Sequence, residues 1–449
     1  MKREIAFFAG LALLTTVGVS GCGTGGSTTS SGGGGTSNSS SSGSIKGQTI
    51  SVVFTSPAPP QKLLAQFTKQ TGVKVKWTDM AWDDIQTKIT AAMTANTYFA
   101  DVTDVDWSRV GQYYQTKWFQ PLNQYMDVNS LKSDVPQLNV FTSHGELIGM
   151  PVDASIMLTT VNTADFKKAG ITTMPTTMDE YNADLNKLVS SGVNPSPLGI
   201  PFAAAEGLST YWYETTAAFG GSVLSADGKP LFTDPNSAGY KAMQWMVNAY
   251  KTGLVPKGNI NMTDSDEMQN EMATGRISTI LSDYSGNVGT IYNVPSQSKV
   301  VGQVNYIATP GQSGVGPNLG NPDGMGIPET AEHKAAAAAF IKWITSPDIQ
   351  ADISGANGPS LSIVQWALPS RLSAIQKLAD ADTNKTTEAS VMYQLFKQHT
   401  KPPFQGGAPA WYAQFSNAVY TNIHAAALGQ ETVDQAVKAI ATTVNSLNS

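Results

Sequence analysis

The feature that most constrains this chain is the repeated switch between two hydrophobic periods. Short β-branched runs alternate with segments whose apolar residues recur at helical spacing, beginning at Thr49 and continuing to the end. "TISVVF" reads as a strand bounded by "SPAPP", and "KLLAQFTKQTG" as a helix stopped at Gly72. "VKVKW" alternates strictly, which puts Val73, Val75 and Trp77 on one face of a second strand. "DDIQTKITAAM" is helical through Ile85, Ile89 and Met93, "FADVTDVD" returns to strand, and "WSRVGQYYQTKWF" to helix. Strands and helices in alternation build α/β layers, so the expected class is α/β. Thr177 and Glu180 make a capping box, Asp234-Pro235 reads as the cap and first-turn proline of "SAGYKAMQWMVNAYKTG", and Ser346-Pro347 starts "DIQADISG". The last stretch reads as two helices joined at Gly429.

The N-terminal 47 residues follow other rules. Lys2 and Arg3 precede the apolar run Ile5 to Leu14, which is too short to span a bilayer and reads as an export signal over residues 1–21. Gly23 to Ser44 holds nine Ser, eight Gly, four Thr and one Asn. With no apolar or charged side chain, that tract has nothing to bury against its chain entropy. It reads as a flexible tether within residues 22–47. The chain's single cysteine, Cys22, stands between signal and tether, and a lone thiol cannot form an internal disulfide. Val19-Ser20-Gly21-Cys22 resembles the lipobox of bacterial lipoproteins, which implies cleavage before Cys22 and its acylation as a membrane anchor.

The roughly 405 residues beyond the tether exceed what one core commonly organises, so two lobes are expected. The formal charge of -6 is dispersed, and nothing in it favours nucleic acid. Beyond the signal, no apolar run reaches the length of a membrane helix; "AAAAAFIKWI" is interrupted by Lys342. The histidines His144, His333, His399 and His424 are scattered without metal-ligand spacing. No G-x-S-x-G elbow or phosphate-cradling glycine loop occurs. Neither a metal nor a cofactor is expected, and the chain is not expected to be an enzyme. A pair of carboxylates suffices for a glycoside hydrolase, so that alternative stays open.

Several segments, in order, carry a family resemblance. "FADVTDVDWSRVGQYYQTKWFQPLNQY", "GELIGMPVDASIMLTTVNTADFKKAGI", "MPTTMDEYNADLNKL", "FGGSVLSADGKPLFTDPNSAGYKAMQWMVNAYKTGLVP" and "AAFIKWITSPDIQADIS" are similar to stretches of the extracellular solute-binding proteins of ABC importers, a group that includes maltose- and trehalose-binding proteins. The resemblance covers nearly everything from Gln48 onward. It implies a two-lobed fold of the periplasmic-binding type, with a mixed sheet flanked by helices in each lobe and a ligand cleft between them. Lobe 1 is then 48–152 plus 324–359, and lobe 2 is 153–323 plus 360–449. Crossings are expected near Pro151 to Ala154, Asn321 to Gly326, and Pro359 to Ile363. The implied function is capture of a di- or oligosaccharide by a lipid-anchored, monomeric receptor on the outer face of the membrane, for delivery to an ABC permease. A receptor for a polyol, polyamine or metal chelate is the alternative. Thr160-Val161-Asn162 and "LSIVQ" from Leu361 depart from the family pattern and leave the sugar's identity open.

A sugar offers apolar CH faces and fans of hydroxyls, so its site wants flat rings beside carboxylates or amides. Asp106-Trp107, at a strand end, supplies both. Asp153 falls in the first crossing, where neither core needs a charge. Trp212 in "TYWYETT", the strand-ending pair Asp283-Tyr284, and Asn321 and Asp323 in "GNPDGMG" complete the expected contacts. Trp245 and Trp343 sit at helical spacing with other apolar residues and read as core.

Overall fold

The computed structural model describes residues 44–263, 266–355, 368–382 and 388–449. The expected signal, Cys22, the tether as far as Gly43, and the third crossing at Pro359 to Ile363 lie outside the described residues. Two sheets organise the rest. The first runs Lys74–Asp79, Thr49–Phe54, Val102–Asp106, Asp323–Gly326, Met150–Pro151. Its first three strands are parallel, and Asp323–Gly326 joins antiparallel to Val102–Asp106. The second runs Val304–Ile307, Met157–Asn162, Thr279–Tyr284, Leu198–Gly199. A chain that leaves one sheet at Pro151 and enters the other at Met157 gives the two-lobed α/β architecture its physical form.

The first sheet forms as its hydrophobic pattern dictates. The central strand Val102–Asp106 is buried along its whole length, as expected of a parallel strand covered on both faces. Helix Gln61–Thr71 buries Leu63, Leu64 and Phe67, and stops where Gly72 turns left-handed at φ 76°. Phe67 lies 5.3 Å from the ring of Phe340 and 5.0 Å from that of Trp343, so helix Lys334–Ile344 closes the core on that side.

Helix Met178–Ser190 carries the expected capping box, with the Thr177 hydroxyl accepting from the Glu180 N–H and the Glu180 carboxylate from the Thr177 N–H. The helix expected to start at Asp234-Pro235 instead spans Ala238–Thr252 and is capped by Ser237, whose hydroxyl accepts from the Tyr240 N–H. Asp234 is spent upstream, where its side chain accepts from the Asn236 N–H at 2.7 Å and closes a local turn. Ser346-Pro347 does open Pro347–Ile353, but the Ser346 hydroxyl donates back to the Trp343 carbonyl rather than capping. The chain ends in helices Tyr412–Ala427 and Val433–Leu447, packed against each other on either side of Gly429.

Between the sheets three segments run side by side. Val152 N–H donates to the Asp323 carbonyl, Asn321 N–H to the Ser155 carbonyl, and Ala154 N–H to the Leu368 carbonyl. Gln350 donates to the Val152 carbonyl and the Ser370 hydroxyl, and that hydroxyl donates to the Pro151 carbonyl. The third described segment beside the crossings is therefore 368–370. Removing the helix cap by Thr177→Ala should lower stability by about 1 kcal/mol, read as a fall in the urea midpoint at unchanged slope.

Candidate functional site

The carboxyl ends of Thr49–Phe54, Lys74–Asp79 and Val102–Asp106 converge on a cleft of about 880 Å³ that also takes its wall from the second sheet's side. Asp106 ends its strand and pairs in register with Asp323, so period-two geometry puts Asp104, Asp106 and Asp323 on one sheet face. Like charges placed opposite each other repel, and each of these groups is held accordingly. Ser108 donates to Asp106 Oδ1 through both its N–H (2.8 Å) and its hydroxyl, while Trp82 Nε1 donates to Oδ2 at 3.1 Å. Gln86 Nε2 donates to Asp104 Oδ2 at 2.6 Å and is itself held by the Tyr113 hydroxyl at 2.9 Å. Asp153 Oδ1 accepts the N–H groups of Asp323 at 3.0 Å and Ser155 at 3.3 Å.

Burial is the first cause of the altered acidity throughout this group. It lifts Asp153 to about 7 against those two backbone hydrogen bonds. Asp323 is held well above the carboxylate range by burial, then by the charges of Asp104, Asp153 and Asp106. Asp104 is raised by burial and by Asp106, and Asp106 by burial against the opposing pull of Ser108 and Arg109.

The cleft collects six of the residues expected from sequence: Asp106, Trp107, Asp153, Tyr284, Asn321 and Asp323. Trp107 contributes little more than an edge, being 3% exposed, and its Nε1 donates to Asn321 Oδ1. Two expectations are corrected. Trp212 is fully buried, donates Nε1–H to the Gly239 carbonyl at 2.9 Å, and packs edge-on against Phe232. Its helix, Glu206–Ala218, is covered on most of its circumference, so the ring chosen as a ligand platform faces another helix. Asp283 is also turned inward, accepting from Thr160, Tyr292 and Asn287 side chains and the Tyr284 N–H. Burial lifts it to about 6 while these donors oppose the rise. It ties the end of an inner strand of the second sheet to the segment that follows it instead of lining the cleft.

Three residues escaped the sequence reading. Trp82, half-buried on the cleft wall, starts the helix Trp82–Thr94 and is separated from the end of strand Lys74–Asp79 by two residues, so the strand-end rule that found Asp106 would have found it. Arg109 lies with its guanidinium 5.6 Å from the Trp82 ring centre and 6.0 Å from that of Tyr412. Glu206 lines the cleft from the other lobe, where its carboxylate accepts from the Tyr412 and Ser416 hydroxyls. Burial raises its pKa, with those two hydroxyls opposing. No local signal marks Glu206, because its partners lie more than 200 residues away. The wall thus carries Asp83, Asp106, Asp153, Glu206 and Asp323, and among the described residues lining it there is no lysine, arginine or histidine. Among the described residues no group of three or more His, Cys, Asp or Glu is placed to hold a metal ion, and no helix is long and apolar enough to cross a membrane.

Comparison with known proteins gives a consistent picture. Residues 53–351 match the family model of the bacterial extracellular solute-binding protein. A probable amino-acid ABC transporter periplasmic-binding protein of Sinorhizobium fredii, y4oP, is 27% identical over 293 residues, which span 63% of this chain and 64% of that protein's length. Maltose-bound MalE3 of T. maritima superimposes with a TM-score of 0.72 at 22% identity, covering 89% of this chain and 100% of its own. An ABC transporter solute-binding protein of Thermotoga lettingae bound with α-D-tagatose gives 0.75 at 19% identity, covering 90% and 100%. These structures share the fold.

The acidity of Asp153 has a measurable consequence. A carboxyl whose pKa rises on folding stabilises the protein fully below its unfolded pKa, and that contribution is lost as pH climbs through the folded value. Between about pH 4 and 7 the ligand-free wild type should therefore lose stability relative to Asp153→Asn as the pH rises. Urea unfolding of both proteins across this range checks it; parallel pH profiles would show that Asp153 is not buried as an acid.

Proposed function

The chain belongs to the bacterial extracellular solute-binding protein family, and on that premise we propose that it is a lipid-anchored receptor that captures a sugar or polyol and hands it to an ABC permease. The observation that carries this reading is the composition of the cleft wall: five carboxylates, the flat ring of Trp82 and no basic side chain. Ligand hydroxyls donate to carboxylates in charge-assisted hydrogen bonds, and a sugar's CH face stacks on an indole. An α-amino acid, the solute class in the name of the Sinorhizobium relative, presents a carboxylate for which this wall offers no basic side chain as partner. Maltose and α-D-tagatose, bound by the solved relatives, present hydroxyls that it accepts.

Asp106, Asp153, Asn321, Asp323, the Trp107 edge and Trp82 bind from the first sheet and the crossings, with Tyr284 and Glu206 on the opposite wall. The crossings at 151–156 and 320–323, with 368–370 beside them, form the hinge, and lobes 1 and 2 close over the ligand to the extent that it contacts both. The receptor works as a monomer, and acylated Cys22 holds it at the outer membrane surface through the Ser/Gly tether. It binds without chemistry: a bound saccharide stays intact on prolonged incubation, and shorter products lost on mutating a carboxylate pair would favour the hydrolase reading.

Calorimetry against a panel of sugars, polyols and amino acids tests the solute class. Asp153→Ala should weaken binding of whichever sugar is found by about 2 kcal/mol, the worth of a charge-assisted hydrogen bond away from water. Trp82→Ala should cost a similar amount through lost stacking, about 1–2 kcal/mol. Wild-type affinity in both variants would show that the ligand sits elsewhere. Cys22→Ser should move the protein from the membrane fraction to the medium with binding intact; unchanged fractionation would sink the anchor.

A further inference from the structure

Behind the wall formed by Trp107 and Glu206 the cleft meets a packed plug. Trp107 reaches it from the first lobe, with its ring 5.8 Å from Phe404 and 5.4 Å from Tyr412. Tyr213, on the helix Glu206–Ala218, lies 5.3 Å from Phe404 on the far side. These rings are almost completely covered: Tyr412 is 1% exposed, Trp107 and Tyr213 3%, and Phe404 4%. Tyr412 also hydrogen-bonds Glu206, so the wall and the plug are one unit.

The segment bearing Phe404 is held at backbone contact on two sides. A Cβ placed on Gly111, in the helix Val110–Thr116 of the first lobe, would collide with the Ala408 carbonyl oxygen. A Cβ on Gly406 would collide with the Ala226 carbonyl oxygen, in the second lobe. Only glycine permits both approaches, so the segment sits at backbone contact with both lobes behind the rings.

We infer that the cleft is blind at the end bounded by Trp107 and Glu206, and that it takes a solute the size of a mono- or disaccharide or a sugar alcohol, excluding oligosaccharides that need a groove open at both ends. The inference rests on the capture reading above for its solute class but on the plug for its size limit. A long saccharide needs a succession of exposed rings, and at this end every ring is already packed against another. Phe404, Tyr412 and Gly111 are then determinants of ligand length, though none needs to touch the ligand.

The test is a chain-length series measured by calorimetry on the intact chain. Glucose, maltose, maltotriose and maltotetraose are run beside the β-linked gluco, manno and N-acetylglucosamine series, with ribitol, mannitol and free amino acids. In whichever series binds, affinity should peak at one or two rings and fall at least tenfold at three. Phe404→Ala, and separately Gly111→Ala, which displaces the Ala408 segment without emptying the core, should reduce that fall. A trisaccharide or longer bound as tightly as the disaccharide by the wild type would overturn the blind end and leave sugar capture standing. Free amino acids bound with no sugar or polyol would sink the sugar reading and leave the size limit standing. No binding by any compound in the panel would count against both.

Discussion

The hydrogen bonds that hold three crossing segments side by side are the interaction on which the rest of the structure depends. Asp153 accepts the backbone N–H of Asp323, while Val152, Ala154 and Asn321 donate across the same seam. The seam fixes where one sheet's strands end relative to the other's, and so sets the cleft's width. Ser370 and Gln350 anchor its third member to the first lobe through Pro151 and Val152. The seam is narrow, and the packing of Trp107 against Phe404 and Tyr412 is a second contact across which any change of angle between the sheets would have to act.

The same seam concentrates negative charge. Antiparallel pairing sets Asp323 opposite Asp106, and the first crossing brings Asp153 beside both. Without ligand, these carboxyls are relieved by protonation and by a few protein donors, which is why burial lifts Asp153 to about 7. On the proposed reading, hydroxyl donors from a bound solute would replace that relief and favour the ionised form, linking affinity to the charge state of the floor. Only part of the hydrogen-bonding capacity is committed: Asp106 is nearly saturated by Ser108 and Trp82, whereas Asp153 engages its donors through one oxygen.

Much of this was legible in the sequence. The elements followed from hydrophobic period and from caps such as Gly72 and Thr177. Asp106 and Asp323 were found because strand ends and glycine-bracketed crossings are where α/β folds expose polar groups. Three choices went astray for separate physical reasons. Asp234 had a second way to satisfy itself, in a turn one step before the helix. Trp212 and Asp283 sit in locally plausible contexts, but a ring or a carboxyl can serve a core as well as a cleft, and composition alone does not distinguish them.

By itself, then, the sequence determined the α/β alternation and the strand-end acids of the first lobe, since each rests on interactions among residues close along the chain. Only tertiary structure decided which aromatic rings meet solvent. Trp82 faces the cleft and Trp212 faces Phe232; Glu206 becomes a wall residue because Tyr412 and Ser416, some 200 residues later, hold it there. Burial depends on what arrives from elsewhere in the chain, and local periodicity says which face of a helix is apolar without saying whether a protein core or a ligand will cover it.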